Sequence, residues 1–322
     1  MYLIKNWKSG FNLGMSIAFS HGTANALLFG MNVIHIKGFW DFILWAIPNT
    51  ICMAIFGWLY YKDWLRTEAL NHWIVKVAMI ALQISMLIFQ MKLLQTYFAP
   101  ILAPTIFGAN ASFVVATAIA LVFVVWMFKK GLATSIATDN WQGWITLLSL
   151  AAAIGYCVSI DVPTYVIPSA DNINWSWGVW TTAVYTSAII ADLQHWRRAN
   201  VDQSRTGFYW ATAIFGVLMG LIGVLGMFEI PYEVQLFLVI PVLGLATSTI
   251  DSIAVAMHEC YNKIVGTTIA IVTCCLWWVF LGKDAFWVWN SQGVIRCTAA
   301  VLVILFSCLW WYNTKKANKQ SI

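Results

Sequence analysis

The chain is a series of apolar runs, each about 20 residues long, set between short breaks rich in charge, Pro, Gly or Asn. A helix rising about 1.5 Å per residue needs that length to cross the hydrocarbon of a bilayer. Ten runs are legible, over 10–35, 40–61, 70–97, 108–128, 142–160, 176–195, 207–228, 232–257, 262–282 and 291–313. Hydrophobic residues make up 61% of the chain and charged ones 10%, which specifies an all-α integral membrane protein. The connections are too short for a soluble domain, so 1–322 is expected to form one transmembrane domain. No basic segment with a short apolar core and a small-residue cleavage site precedes the first run, which is therefore expected to stay in the mature protein.

Positive charge orients the ten spans, because cytoplasmic loops carry the excess of Lys and Arg. Lys5, Lys8, Lys62, Arg66, Lys76, Lys129, Lys130, Arg197, Arg198, Arg205, Lys263, Lys315, Lys316 and Lys319 fall on the N-terminal side, and only Lys37, Lys283 and Arg296 on the other. Both termini are then cytoplasmic, in the inner membrane. Lys92, near the outer end of the third span, is placed to snorkel to the interface. The net charge of +5 follows from this bias and from attraction to anionic lipid, so no nucleic-acid partner is inferred.

Seven cysteines show neither metal-site nor disulfide spacing, and Cys274 and Cys275, adjacent on one helix, point apart. Among twenty tryptophans, Trp175, Trp177, Trp287, Trp289, Trp310 and Trp311 sit at span ends, as an interfacial belt requires. Trp180 and Trp196, in or beside the sixth span, have no such explanation.

Ten spans divide into five plus five, about 10–160 and 176–313, and an odd number per set makes the second set inverted relative to the first. Inverted repeats recur in secondary transporters, with the binding site near the midplane at discontinuous helices in corresponding positions. Spans one and six should then correspond. Span one contains FSHGTANALLFG (19–30), where Ser20, His21, Gly22, Thr23 and Asn25 interrupt an apolar helix near its middle. Such a break exposes backbone carbonyls that must line a cavity or hold an ion; a kink, or close packing through Gly22 and Ala24, is the other reading. Span six carries Gly178, Thr181, Thr182, Tyr185, Thr186 and Ser187. Ser and Thr in such helices commonly bond back to a carbonyl four residues earlier and signify nothing more.

Span eight holds LATSTIDSIAVAMHE (245–259), in which Ser248, Asp251, Ser252, Val255, His258 and Glu259 share one helical face. The stripe reaches the cytoplasmic surface, as a water-lined release path would. An ionisable residue inside a span is costly, which makes Asp251 a functional candidate; pairing with Lys263 or with Arg197 or Arg198 is the structural alternative. Hard cations take oxygen ligands, and carbonyls of span one together with Ser248 or Thr249 would supply them for Na+.

These residues resemble a known family. STIDS (248–252) looks like the S-T-x-D/S-S signature of the sodium:solute symporters, and DLQHWRRA (192–199) is similar to their D-x-Q-x-W-Q-R-A pattern. The S-x-G-x-x-N…F-G run of span one fits their first core helix loosely. The resemblance implies a LeuT-type core of five plus five helices and a Na+ site formed by the carbonyls of Ser20 and Thr23 with the hydroxyls of Ser248 and Thr249, beside Asp251. Substrate would lie around His21, Thr23, Asn25, Thr182, Tyr185 and Thr186. The chain is shorter than typical members, and Arg197 stands where the family has Gln.

The expected function is sodium-coupled import of a small polar solute by alternating access. Proton coupling through Asp251 or His21 is a second possibility, and a non-transporting sensor or structural subunit a third, with FWVWN (286–290) as a partner face and homo-oligomerisation open. Enzyme motifs such as H-x-x-x-H or G-x-S-x-G are missing, so no catalytic residues are assigned. With no buried Arg or Lys expected at the centre, a neutral or zwitterionic solute is favoured over an anion.

Overall fold

The computed structural model describes residues 10–22, 24–165, 167, 173–260 and 262–320, the side chains of 129, 259, 260 and 315–320 excepted. Every regular element among them is helical. In chain order they are α1 (Gly10–His21), α2 (Ala24–Lys37), α3 (Phe39–Tyr61), α4 (Trp73–Leu102), α5 (Ala111–Lys129), α6 (Leu132–Ser159), α7 (Trp175–Ala191), α8 (Leu193–Val201), α9 (Gly207–Leu225), α10 (Tyr232–Phe237), α11 (Val239–Cys260), α12 (Lys263–Leu276) and α13 (Ala285–Gln320). Eight stretches are long and apolar enough to cross a membrane: α3, α4, α5, α6, α9, α10–α11 together, α12 with the turn after it, and α13. The chain is a helical integral membrane protein.

The other two apolar runs, spans one and six of the sequence, are each divided. α1 stops at His21 and α2 starts at Ala24, while α7 stops at Ala191 and α8 starts at Leu193. The second break has a local cause, because Asp192 leaves helical geometry and its carboxylate accepts from the backbone N–H of Gln194 at 3.2 Å, an N-cap inside an apolar segment. The same device opens α7, where Asn174 accepts from the N–H of Trp177, and α12, where Asn262 accepts from that of Val265.

One sequence boundary is wrong in an instructive way. The fifth span, read as 142–160, starts ten residues earlier as α6 at Leu132. Its first turns, LATSIATDN, are too polar for a hydropathy threshold, and that polarity is turned inward: Ser135, Asp139 and Asn140 are buried.

The helices pack in a consistent pattern. α1 lies on α6 and α9, and α7 on α13 and α3. α4 contacts α5 and α13, while α11 contacts α12 and α6. α3 meets α9, α4 meets α11 and α5 meets α12. The core between them is aromatic and aliphatic, with Trp45, Trp196, Trp277 and Trp289 fully enclosed. The interfacial belt is correspondingly smaller than expected: Trp175, Trp287 and Trp311 are exposed, but Trp177 and Trp289 point inward and stack with Phe29 and Phe286. Trp196 donates to the Ile190 carbonyl at 2.7 Å across the α7–α8 break, and Trp180 packs on Gly293 of α13. Lys92 does not snorkel to lipid; it is buried and donates to Gln95 and to the Leu281 carbonyl. Cys274 is buried and Cys275 exposed, pointing apart as expected.

Close backbone crossings hold the bundle, since lipid supplies no hydrophobic force between helices. At Gly266 a Cβ would lie 2.5 Å from the carbonyl carbon and oxygen of Met257, backbone that cannot yield. Gly266→Ala is expected to lower stability by about 1–3 kcal/mol, read as a fall in thermal midpoint in detergent. Gly155→Ala, with nothing within 4 Å of the added carbon, should leave the midpoint unchanged.

Candidate functional site

Two buried carboxylates and one buried guanidinium meet where α1, α6, α8 and α11 converge. Asp139 of α6, Asp251 of α11 and Arg198 of α8 are all fully enclosed. Arg198 reaches Asp139 in an ion pair of 2.9 Å, donates from Nε to Ser16 of α1 at 2.9 Å, and from Nη2 to Ser252 of α11 at 2.8 Å. Asp139 also accepts from Ser16 at 2.5 Å and from Ser248 at 2.6 Å. Asp251 accepts from Ser135 at 2.9 Å, Thr138 at 3.0 Å and Ser252 at 3.1 Å. Hydroxyls thus satisfy the lone pairs that Arg198 does not, as burial of charge demands. With both carboxylates ionised the cluster carries one negative charge more than positive.

The stripe on α11 is therefore real, but it faces α6 and α8 and is sealed. Val255 is buried, and His258 is buried against Thr267 of α12 at 2.7 Å; the side chain of Glu259 lies outside the described residues. Asp251 bonds to neither Lys263 nor the arginine pair directly; Arg198 reaches it only through Ser252.

The expected Na+ ligands lie against this cluster. The carbonyl of Ser20, at the end of α1, accepts from the Thr249 hydroxyl at 3.4 Å, which also donates to Leu245 at 3.0 Å. Ser248 is turned to Asp139 instead, which adds a carboxylate that sequence reasoning missed. Thr23 lies outside the described residues. Ser248 with Asp139 and Thr249 with the Ser20 carbonyl are thus two pairs of oxygens of the hard type that suits a Group 1 or Group 2 cation.

A second polar centre lies between the two breaks. A cavity of about 20 Å³, room for about one water, is lined by His21, Asn25, Asn49, Met86, Tyr185, Asp192 and Arg296 among others. His21 bonds through Nε2 to Asn49 at 3.0 Å and through Nδ1 to His195 of α8 at 3.3 Å. Asp192 accepts from Gln83 of α4 at 2.9 Å and from the Gln194 side chain. Of the residues expected to hold substrate, His21, Asn25 and Tyr185 line this cavity. Thr182 and Thr186 do not: they line an outward groove on the other side of α7 with Ile47 and Pro48, and Thr182 bonds back to Gly178 at 2.8 Å. The helical period explains the error, because Thr182 stands about 60° and Thr186 about 100° from Tyr185 by rotation, which leaves the two threonines about 40° apart on a neighbouring face. Arg296 contradicts the sequence most plainly. Counted with the charges of the outer side, it is buried in α13 and faces the cavity, so the premise of a centre without buried Arg or Lys does not hold.

On the side opposite the N-terminus, a vestibule of about 560 Å³ opens between the ends of α2 and α4 and the loop holding Glu229, with His35, Tyr97, Tyr165 and Gln235 on its wall. Phe29, at its floor, stacks on Trp289 at 5.1 Å. On the N-terminal side, Tyr61 donates to Asp202 and Tyr60 to Asn200, tying α3 to the end of α8.

Arg198→Met would leave two buried carboxylates without their cation and is expected to destabilise the protein by about 3–5 kcal/mol. Adding Asp139→Asn should recover much of that loss, a coupling read as thermal midpoints in a double-mutant cycle. Simple additivity of the two costs would contradict a joint role for the pair. No family model, no curated protein and no solved structure matches this chain.

Proposed function

We propose that the chain is a sodium-coupled secondary transporter that imports a small polar solute by alternating access, a minimal relative of the sodium:solute symporters. The observation that carries this reading is that two buried carboxylates, Asp139 and Asp251, share a single buried cation, Arg198, in a cluster next to which Thr249 meets the Ser20 carbonyl. A buried surplus charge is costly unless a counter-ion neutralises it, and Na+ is a counter-ion that these oxygens suit.

Ten spans in two inverted fives are the architecture we assign. Counting α1–α2 and α7–α8 as one span each adds two to the eight apolar ones. The neighbour relations then support the repeat, because moving each span five places along the chain largely maps the packing onto itself. α1 on α9 becomes α7 on α3, α1 on α6 becomes α7 on α13, and α4 on α5 becomes α11 on α12. In the same way α6 on α11 becomes α13 on α4, and the pairs α3–α9, α4–α11 and α5–α12 map onto themselves. The breaks at Gly22 and Asp192 fall in corresponding spans, as in transporters that bind at the midplane.

Transport would run from the wide vestibule, past Phe29, into the small central cavity. Na+ at the end of α1 favours the state that binds solute, and solute in turn raises Na+ affinity by linkage. Inward release requires the Tyr61–Asp202 and Tyr60–Asn200 ties to part. Both termini are placed in the cytoplasm by the Lys and Arg distribution.

Proton coupling is the second reading, favoured by the chain of contacts from Asn49 through His21 to His195, whose Nε2 lies 3.7 Å from Asp192. One measurement separates the two: the thermal midpoint of purified protein in Na+, K+ and choline. A cation that binds only the folded state stabilises by about 2.7 kcal/mol at a hundredfold excess over Kd. The expected result is a Na+-specific rise that Ser248→Ala/Thr249→Ala abolishes. A midpoint indifferent to Na+ would defeat sodium coupling and leave the proton or a non-transporting role.

A further inference from the structure

Several buried polar side chains have an atom without a hydrogen-bond partner, and among the described residues Arg296 is the buried cation in that position. Its side chain is 6% exposed, its Nε and Nη1 are enclosed without a hydrogen-bond partner, and no carboxylate among the described residues lies within salt-bridge distance. It nevertheless faces the central cavity with His21, Asn25, Asn49 and Tyr185. A guanidinium is always charged and offers five donors in a planar fork, and burying it unpaired is strongly unfavourable. Arg198 shows how the same chain satisfies a buried arginine when it is structural: an aspartate, two serines and a carbonyl occupy four of its five donors. Nothing comparable is supplied for Arg296. The only carboxylate on the cavity wall, Asp192, is taken up by Gln83, Gln194 and its own N-cap bond.

We propose that Arg296 is the substrate-binding residue for the carboxylate of a small monoanionic solute, held in the cavity between the two helix breaks. This deepens the transport reading and rests on it. The fork of a guanidinium matches a planar carboxylate in a bidentate pair. Asp192 on the same wall opposes a second negative charge, which selects a monoanion over a dianion such as phosphate. The amide and imidazole groups of Asn49, Asn25 and His21 would take a hydroxyl or carbonyl on the same solute, and because the cavity of about 20 Å³ holds about one water as it stands, its walls, Ala26, Ala188 and Met86, must move apart to admit even a short acid. Met86, with its unbranched and adaptable side chain, is the wall that yields as the solute enters.

The test uses the full chain in detergent, at constant Na+ with methanesulfonate as the background anion. Acetate, propionate and lactate are compared with acetamide, propionamide and lactamide as ligands that raise the thermal midpoint. The acids should stabilise the wild type and the amides should not. Arg296→Met should lose the response to the acids while keeping the Na+-specific rise of the ligand-free protein. Arg296→Lys, which keeps the charge but not the fork, should bind the acids about ten- to hundredfold more weakly, and serves if the Met variant does not fold. Equal effects of acids and amides, equal stabilisation by chloride, or an unchanged response in both variants would overturn the assignment. Loss of the Na+ response alone, with the acid response intact, would instead strike the coupling ion and leave the Arg296 site standing.

Discussion

Charge balance in a medium that cannot solvate charge governs the interior of this protein. Asp139, Asp251 and Arg198 come from three different helices and converge with serines of α1, α6 and α11 around them. Each partner is needed to make the others tolerable, because a lone buried charge costs several kcal/mol even after relaxation. The cluster is therefore a constraint on four helices at once. It pins the short helix α8 and the half-span α1 to the long helices α6 and α11, and both of the pinned pieces belong to interrupted spans. With both carboxylates ionised the cluster has one negative charge to spare, which is what the proposed coupling ion would neutralise.

The breaks and the polar residues depend on each other. An interrupted helix exposes backbone groups that hydrocarbon would punish, so the break must lie where other polar groups meet it. At the end of α1 the Ser20 carbonyl meets Thr249, and at the start of α8 the Asp192 carboxylate caps the new helix and holds Gln83. The two cavity-facing ends then bracket a space lined by His21, Asn25, Tyr185 and Arg296. On the side opposite the N-terminus a wide vestibule reaches Phe29, which stacks on Trp289; on the N-terminal side tyrosines tie α3 to the end of α8. A narrow polar centre between these two regions is what the proposed alternating access would use.

Membrane class, helical content and the break in span one were legible in the sequence, since each follows from apolar length or from polar residues placed inside it; the break in span six was expected among residues 178–187 and falls instead at Asp192, whose capping carboxylate creates it. The polar stripe of span eight was legible as well: Ser248, Thr249, Asp251 and Ser252 all face the interior. Asp139 was missed because hydropathy cuts a span where polarity begins, and α6 begins polar for the reason that it supplies half the cluster. Arg296 was missed by the converse logic, in which a basic residue near a span end is counted with the charge of that side of the membrane. No carboxylate among the described residues lies within salt-bridge distance of it, and no sequence pattern signals that. Thr182 and Thr186 show the limit of composition, since polar residues on one helix look alike until the packing of α7 against α3 and α13 decides which face is inside.

The central claim is that the Asp139–Asp251–Arg198 cluster holds one monovalent cation, and equilibrium binding of radioactive 22Na+ to the purified chain in nanodiscs measures it directly. The account predicts saturable binding approaching one Na+ per chain, lost or greatly weakened in Asp251→Asn, where the surplus charge is gone, and retained in Arg296→Met. Absence of saturable Na+ binding in the wild type, or equal binding in Asp251→Asn, would contradict it.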